Sequence, residues 1–330
     1  MRVVCCPDSL KGVLAAEDAA AALAEGVAQV PGCEADAIPL GDGGEGTADA
    51  LYAALGGEWR RAWVSDALGR PVEARWLRLP DGRAVVESAE AIGLWRLARG
   101  ERDPLNATSQ GLGELLLEAA GSGAREVVVT LGGSATVDGG AGLRRALAGR
   151  QLGGVRLRAA VDVTSPLLGP RGAARVFGPQ KGATPAQVEE LEERLASMPE
   201  LRPYAELPGA GAAGGLGAAL AALGAALEPG STLVADAVGL RPRLAGAALA
   251  VTGEGTVDRT SAFGKVPGAV AGLCRAVGVR CVVFGGRVVE GVEELRALGA
   301  SEVVALSGNR ERAVEDLVRL GASLAGGLES

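Results

Sequence analysis

Five short apolar or β-branched runs, at residues 3–6, 35–39, 248–252, 281–284 and 302–306, are each followed by a stretch with helical periodicity, at 15–30, 47–55, 266–277, 292–298 and 310–325. This alternation is the tightest constraint on the fold. Strands that alternate with helices build a parallel sheet covered on both faces, because every return to a parallel neighbour needs a long crossover. Between the second and third runs lies a block of about residues 60–235 with three further strand-like runs, 59–64, 72–78 and 84–88, and a strand–loop–helix unit at 126–131, 132–142 and 143–148.

The expected fold class is therefore α/β with two domains. Five strand–helix units predict a flavodoxin-like parallel sheet of order 2-1-3-4-5, whose ligand crevice opens at the carboxyl ends of strands 1 and 3. The loops there would be 7–14 and 253–264. The interruption predicts a second α/β domain inserted into the first, with boundaries at 1–60 plus 235–330 and at 61–234, and an active site in the cleft between them. A length of 330 residues suits two cores better than one. The uncharged stretch 209–227 reaches membrane-spanning length, but it is mostly Gly and Ala with one stripe of Leu216, Leu220, Leu223 and Leu227. Small residues supply little transfer free energy, so it is read as a buried packing helix and not as a membrane span.

A net charge of −7 argues against nucleic acid as a partner. The first residues are strand-like and lack the layout of a signal peptide, which predicts a cytoplasmic protein. Five cysteines without a Cys-x-x-Cys spacing are expected to be reduced and buried. The chain is compatible with a homodimer. It contains no histidine, which removes the commonest general base and the Ser-His-Asp arrangement. Chemistry must then rest on carboxylates, lysine, arginine, hydroxyls or a hard cation.

Lysine is the most informative residue type. Lys11, Lys181 and Lys265 are the only three among 33 basic residues, and each stands directly beside glycine. Where arginine is the default cation, a retained lysine suggests a need for a compact ammonium on a flexible stem. Glycine lets backbone amides approach a phosphate, and lysine adds a point charge. The loop Gly132-Gly133-Ser134-Ala135-Thr136-Val137-Asp138-Gly139-Gly140-Ala141-Gly142 runs from a strand into a helix, a place that favours anions. It ends in no Gly-Lys-Ser/Thr and carries no dinucleotide fingerprint at its start, so a structural turn is the alternative.

Carboxylates gather after strands at Asp42-Gly43-Gly44-Glu45-Gly46-Thr47, at Asp162 and at Gly253-Glu254-Gly255-Thr256-Val257-Asp258. Such positions suit Mg²⁺ or a general base, and each acid is as well suited to a turn or a helix cap, as Thr47 is to capping the helix after it.

With these motifs in hand, the chain resembles the type I glycerate kinases of bacteria. The resemblance rests on Pro7-Asp8-Ser9-Leu10-Lys11-Gly12, the 42–47 segment, Pro104-Leu105 with Thr108-Ser109, the 132–142 loop, Asp162-Val163-Thr164, Phe177-Gly178-Pro179-Gln180-Lys181-Gly182-Ala183, Gly211-Ala212-Ala213-Gly214-Gly215, Thr252-Gly253-Glu254-Gly255 and Gly264-Lys265-Val266-Pro267. These stand in the family's order over nearly the whole chain. Departures are Leu10 in place of the usual Phe, Val137 in place of the common Asn, a less polar Arg259-Thr260-Ser261, and a short segment at 149–158.

The resemblance implies two α/β domains, one inserted in the other, and Mg²⁺-dependent transfer of phosphoryl from ATP to D-glycerate. Combined with the residue reading, it gives these expectations. Lys11, Asp42 and Asp162 are catalytic, with Asp42 the first choice of base and Asp162 the second. Gly132, Gly133, Ser134, Thr136, Asp138, Gly139, Gly140, Lys181 and Lys265 bind nucleotide or phosphate. Asp8, Ser9 and Glu45 bind the substrate, and Glu254 and Asp258 hold the metal. The product expected is 2-phosphoglycerate ahead of 3-phosphoglycerate. The alternatives are a kinase for another small hydroxy acid and a non-catalytic ligand-binding protein. The number of charged and hydroxyl groups in glycine-rich loops argues against the latter.

Overall fold

The computed structural model describes residues 1–148, 150 and 152–328, so Gly149 and Gln151 of the short 149–158 segment lie outside the described residues. Along the described residues the strands are β1 (Arg2–Cys5), β2 (Glu34–Ala37), β3 (Glu58–Ser65), β4 (Pro71–Arg78), β5 (Ala84–Glu87), β6 (Glu126–Thr130), β7 (Arg156–Val161), β8 (Ala226–Pro229), β9 (Leu249–Val257), β10 (Arg280–Val288) and β11 (Glu302–Ala305). The chain divides into two units. One comprises Met1–Asp42, Asp49–Leu55 and Gly230–Ser330, the other Gly43–Ala48 and Gly56–Pro229.

In the first unit, β2-β1-β9-β10-β11 form one parallel sheet. Ranked by chain position this order is 2-1-3-4-5, the flavodoxin-like arrangement. Val3, Cys5, Leu249, Val251, Val282 and Phe284 bury the sheet's centre with Leu23, Val27 and Leu317 from the covering helices. The helices Ala16–Ala28 and Ala313–Gly326 cross at small residues. A Cβ on Gly26 would meet the Val318 carbonyl oxygen at 2.0 Å, and one on Gly321 would meet that of Leu23 at 2.3 Å. Cys5, Cys6, Cys274 and Cys281 are buried free thiols, and burial pushes the Cys5 thiol up to about 12.

In the second unit the sheet is mixed, β3-β4-β5-β6-β7-β8, with β3, β4 and β5 antiparallel neighbours and the remainder parallel. Its core includes Val86, Leu112, Leu115, Leu116, Val127, Val129, Leu143, Leu216 and Leu220.

Two local expectations change. The 253–264 segment is not wholly a loop, because β9 continues to Val257 and keeps pairing with β10 through Glu254↔Gly285 and Val257↔Val288. Gly253 permits this, since a Cβ there would strike the Phe284 carbonyl oxygen at 2.2 Å. The 209–227 stretch is helical only over Ala212–Ala222, Leu227 lies in β8, and Leu223 is partly exposed. Ala213, Gly214 and Gly215 take positive φ, which breaks the first turn and lets Gly214 lie against the Thr136 carbonyl, 2.1 Å from where a Cβ would stand. No helix among the described residues is long and apolar enough to cross a membrane.

Candidate functional site

The loops at the carboxyl ends of the strands form one cleft in each unit. The first, about 510 Å³, is lined by Ser9, Lys11, Glu254, Asp258, Lys265 and Arg287 among others. It opens where the strand order of the parallel sheet reverses between β1 and β9, the position at which ligands of open α/β sheets bind. The loop after β1 is shaped by an antiparallel bridge between Leu10 and Leu14 and by Gly12 at φ 73°, and it carries Lys11 outward.

Lys11 Nζ donates to Asp42 Oδ2 at 2.9 Å, pairing an exposed ammonium of the cleft with a buried carboxylate that lies behind the lining. Asp8 is buried and accepts from the Ser9 amide at 2.6 Å. Its carboxyl is raised to about 7, first by burial and then by the charge of Asp42, against the pull of the Ser9 amide and Lys11. Lys265 begins the helix Val266–Val277 and places Nζ 3.4 Å from Glu254 Oε2. Glu254 is pushed up from its ordinary value by burial, against Ser261 and Lys265, and its Oε1 is buried without a hydrogen-bond partner among the described residues. Asp258 instead caps a turn. Its Oδ1 accepts from the amide and the hydroxyl of Thr260, and these bonds hold its carboxyl below the usual range.

The second cleft, about 590 Å³, is lined by Glu45, Gly132, Gly133, Ser134, Asp162 and Lys181, with Leu94, Trp95, Arg102, Phe177 and Gln180 around them. Lys181 is buried at 3 % exposure, with Nζ donating to Ser134 Oγ at 3.0 Å and to the Thr136 carbonyl at 2.7 Å. Its ammonium is lowered to about 7 by burial, with Asp138 opposing. Asp162 stands exposed just past β7.

The glycine loop divides in two. Its first turn, Gly132 to Ser134, faces the cleft. Asp138 is spent inside the loop, accepting from the Ser109 amide and hydroxyl and from the amides of Gly140 and Gly142. The Gly139 amide donates to the Gly214 carbonyl. Asp138, Gly139 and Gly140, expected to bind phosphate, instead build the loop and do not line the cleft. The protein's own carboxylate already satisfies the helix start that would have attracted an anion. Thr136 also lies beneath, fully buried, with Oγ1 unpartnered among the described residues.

Thr47 is also used differently from a helix cap. Its Oγ1 accepts from the Gly43 amide at 3.1 Å, closing the segment that carries Glu45. Glu87 tightens the same segment, accepting from the amides of Ala48 at 2.7 Å and Gly46 at 3.4 Å. A Cβ on Gly133 would lie 1.7 Å from Glu45 Oε1, so only a glycine at 133 lets that carboxylate rest on the loop. Sequence reading missed Glu87, although it ends an apolar strand as the singled-out acids do. Trp95 and Arg102 were missed too, since neither belongs to a glycine-rich motif.

A family model described as the glycerate kinase family matches residues 3–153 and 148–325. The glycerate 2-kinase of Escherichia coli K12 is 41% identical over 313 residues, covering 83% of this chain and 82% of that protein. A glycerate kinase of Halalkalibacterium halodurans is 38% identical over 329 residues, with 88% and 87% covered. A crystal structure described as glycerate kinase 2 of Salmonella typhimurium LT2 superposes with a TM-score of 0.87 at 34% identity, covering 100% of this chain and 98% of that one.

Proposed function

The chain belongs to the glycerate kinase family and is an enzyme of that family, and on that premise we propose that it transfers the γ-phosphoryl group of ATP, bound with Mg²⁺, to D-glycerate in the cytoplasm, forming 2-phosphoglycerate. The observation that carries this reading is the Lys11–Asp42 pair, in which an ammonium that lines the first cleft lies 2.9 Å from a buried carboxylate. Phosphoryl transfer asks the protein mainly for positioning and charge neutralisation. A hydroxyl must lose its proton, and in a chain without histidine a carboxylate takes it.

Asp42 is the base. Lys11 holds it ionised and oriented, because a nearby opposite charge favours the carboxylate form. Asp8 and Ser9 contact the glycerate, and Lys265 offers its ammonium to phosphate. The first turn of the glycine loop and Lys181 receive phosphate or carboxylate oxygens, with Glu45 accepting from a substrate hydroxyl and Asp162 as the second candidate base.

Mg²⁺ takes oxygen ligands and is held by one or two carboxylates together with phosphate and water. Glu254 fits such a role, with a buried Oε1 that has no hydrogen-bond partner among the described residues. Asp258 fits less well, since Thr260 occupies its Oδ1. Among the described residues no group of three or more acidic, cysteine or histidine side chains is placed to hold a metal by itself, so oxygens of the ligand and of water would complete the shell. When bound, the ion neutralises charge on the transferring phosphoryl group.

The name of the Escherichia coli relative supports the 2-hydroxyl as acceptor. The test is ADP release from Mg·ATP with D-glycerate as sole acceptor, coupled to enolase without phosphoglycerate mutase. Product that enolase consumes is expected. Turnover without consumption would move the product to the 3-phosphate, and no turnover with D-glycerate would remove it as the substrate.

A further inference from the structure

The chain is poor in aromatic residues, with four Trp, two Tyr and three Phe. None lines the first cleft, whereas Trp95 and Phe177 both line the second. Trp95 is 60% exposed and Trp63 74%, but of the two only Trp95 lines either cleft. It sits on the short turn Leu94–Arg96, and this turn is strapped to the glycine loop. Gly93 bridges Ser134 in antiparallel fashion, the Leu94 amide donates to the Gly133 carbonyl at 2.7 Å, and the Ala135 amide donates to that of Ile92 at 2.8 Å.

The ring itself is held in place. It folds back over Gly93, where a Cβ would come within 2.6 Å of its Nε1. The Arg96 guanidinium lies 4.5 Å from the ring centroid and is tied in turn to the Glu73 carbonyl at 3.0 Å. An aromatic plate is thus fixed by backbone bonds beside glycine amides. Beneath them lies a buried ammonium that has no carboxylate partner among the described residues.

We infer that the second cleft takes the nucleotide, with Trp95 stacking on its purine base while Gly132, Gly133, Ser134 and Lys181 receive its phosphates. A rigid aromatic face suits a heteroaromatic base, and base–aromatic stacking tolerates changes in the base because every base has a π-face. The cleft's volume of about 590 Å³ lies in the range of small-ligand sites. This inference rests on the reading of the enzyme as an ATP-dependent kinase.

The experiment measures ADP binding by calorimetry and by tryptophan fluorescence in the wild type, Trp95→Ala, Trp95→Phe and the control Trp63→Phe. Inorganic pyrophosphate serves as a probe without a base. Trp95→Ala is expected to weaken ADP roughly 5- to 150-fold, to leave pyrophosphate unchanged, and to be largely rescued in Trp95→Phe. The quench caused by ADP should vanish in Trp95→Phe and persist in Trp63→Phe. Equal ADP affinity in Trp95→Ala and the wild type would overturn the stacking role alone. A loss shared by pyrophosphate would also overturn it, because it would mean that the glycine loop had been disturbed. A wild-type protein that binds no ADP would overturn the ATP reading itself.

Discussion

The two clefts handle buried charge in opposite ways. In the first, ammonium groups are matched to carboxylates, Lys11 to Asp42 and Lys265 to Glu254. In the second, Lys181 is buried against a hydroxyl and a carbonyl, with no carboxylate in ion-pair range among the described residues. A matched pair can hold a carboxylate ionised and ready to take a proton. A buried ammonium without an ion-pair partner is costly until an anion arrives. The first arrangement suits proton transfer and the second suits anion capture, and the difference can be tested one side chain at a time.

The largest expected effect lies at the carboxylate paired with Lys11 of the first cleft. Asp42→Asn should lower kcat roughly 10²- to 10⁴-fold, the scale of general-base catalysis, with little change in KM for glycerate. Steady-state kinetics check this, and an unchanged kcat would transfer the role to another acid. In the second unit, Gly214→Ala should destabilise the fold by about 2–4 kcal/mol, since the new Cβ meets backbone 2.1 Å away at a φ of 76°. Urea denaturation reads this directly.

The next pair of predictions sets the clefts against each other through pH. Lys181 is lowered to about 7 from 10.5, so between those values the unfolded chain binds more protons than the folded one. Its contribution therefore makes the protein more stable as pH rises from about 7 to 10.5. Asp8 is raised to about 7 from 3.8, so the folded chain binds more protons in that window. Its contribution is present below 3.8 and is lost as pH rises to about 7. Denaturation midpoints measured from pH 4 to 10 should show the upper slope flattened in Lys181→Met and the lower slope flattened in Asp8→Asn. If both variants flattened the same limb, the contrast between the clefts would fail.

The smallest effect is expected at Glu87→Gln. Glu87 gives one oxygen to each of the Ala48 and Gly46 amides, whereas Gln has one acceptor and would turn its NH₂ toward the longer, weaker Gly46 contact, so about 1 kcal/mol of stability should be lost. Thermal melts would register it as a modest fall in Tm.

The parallel sheet was legible because short apolar runs and helical periods alternate without ambiguity, and neighbour order follows from that alternation and the handedness of crossovers. Lys11, Lys181 and Lys265 were legible because so few lysines stand against an arginine background. Glycine loops were harder. The 132–142 motif reads the same whether it cradles a ligand or folds on itself, and the structure turns its first part to a cleft and folds the rest inward. Asp138 turns inward because Ser109, distant in sequence, arrives beside it.

By itself the sequence determined the fold class, the strand order, the family and the chemistry available without histidine. These depend on local periodicity and on residue identity. Tertiary structure alone decided which acid lines a cleft and which is consumed as a cap, that β9 continues through Glu254, and that Glu87 and Trp95 sit beside the glycine loop. Each of those depends on a backbone group brought from far along the chain, and hydrogen-bond partners of that kind leave no periodic mark in the sequence.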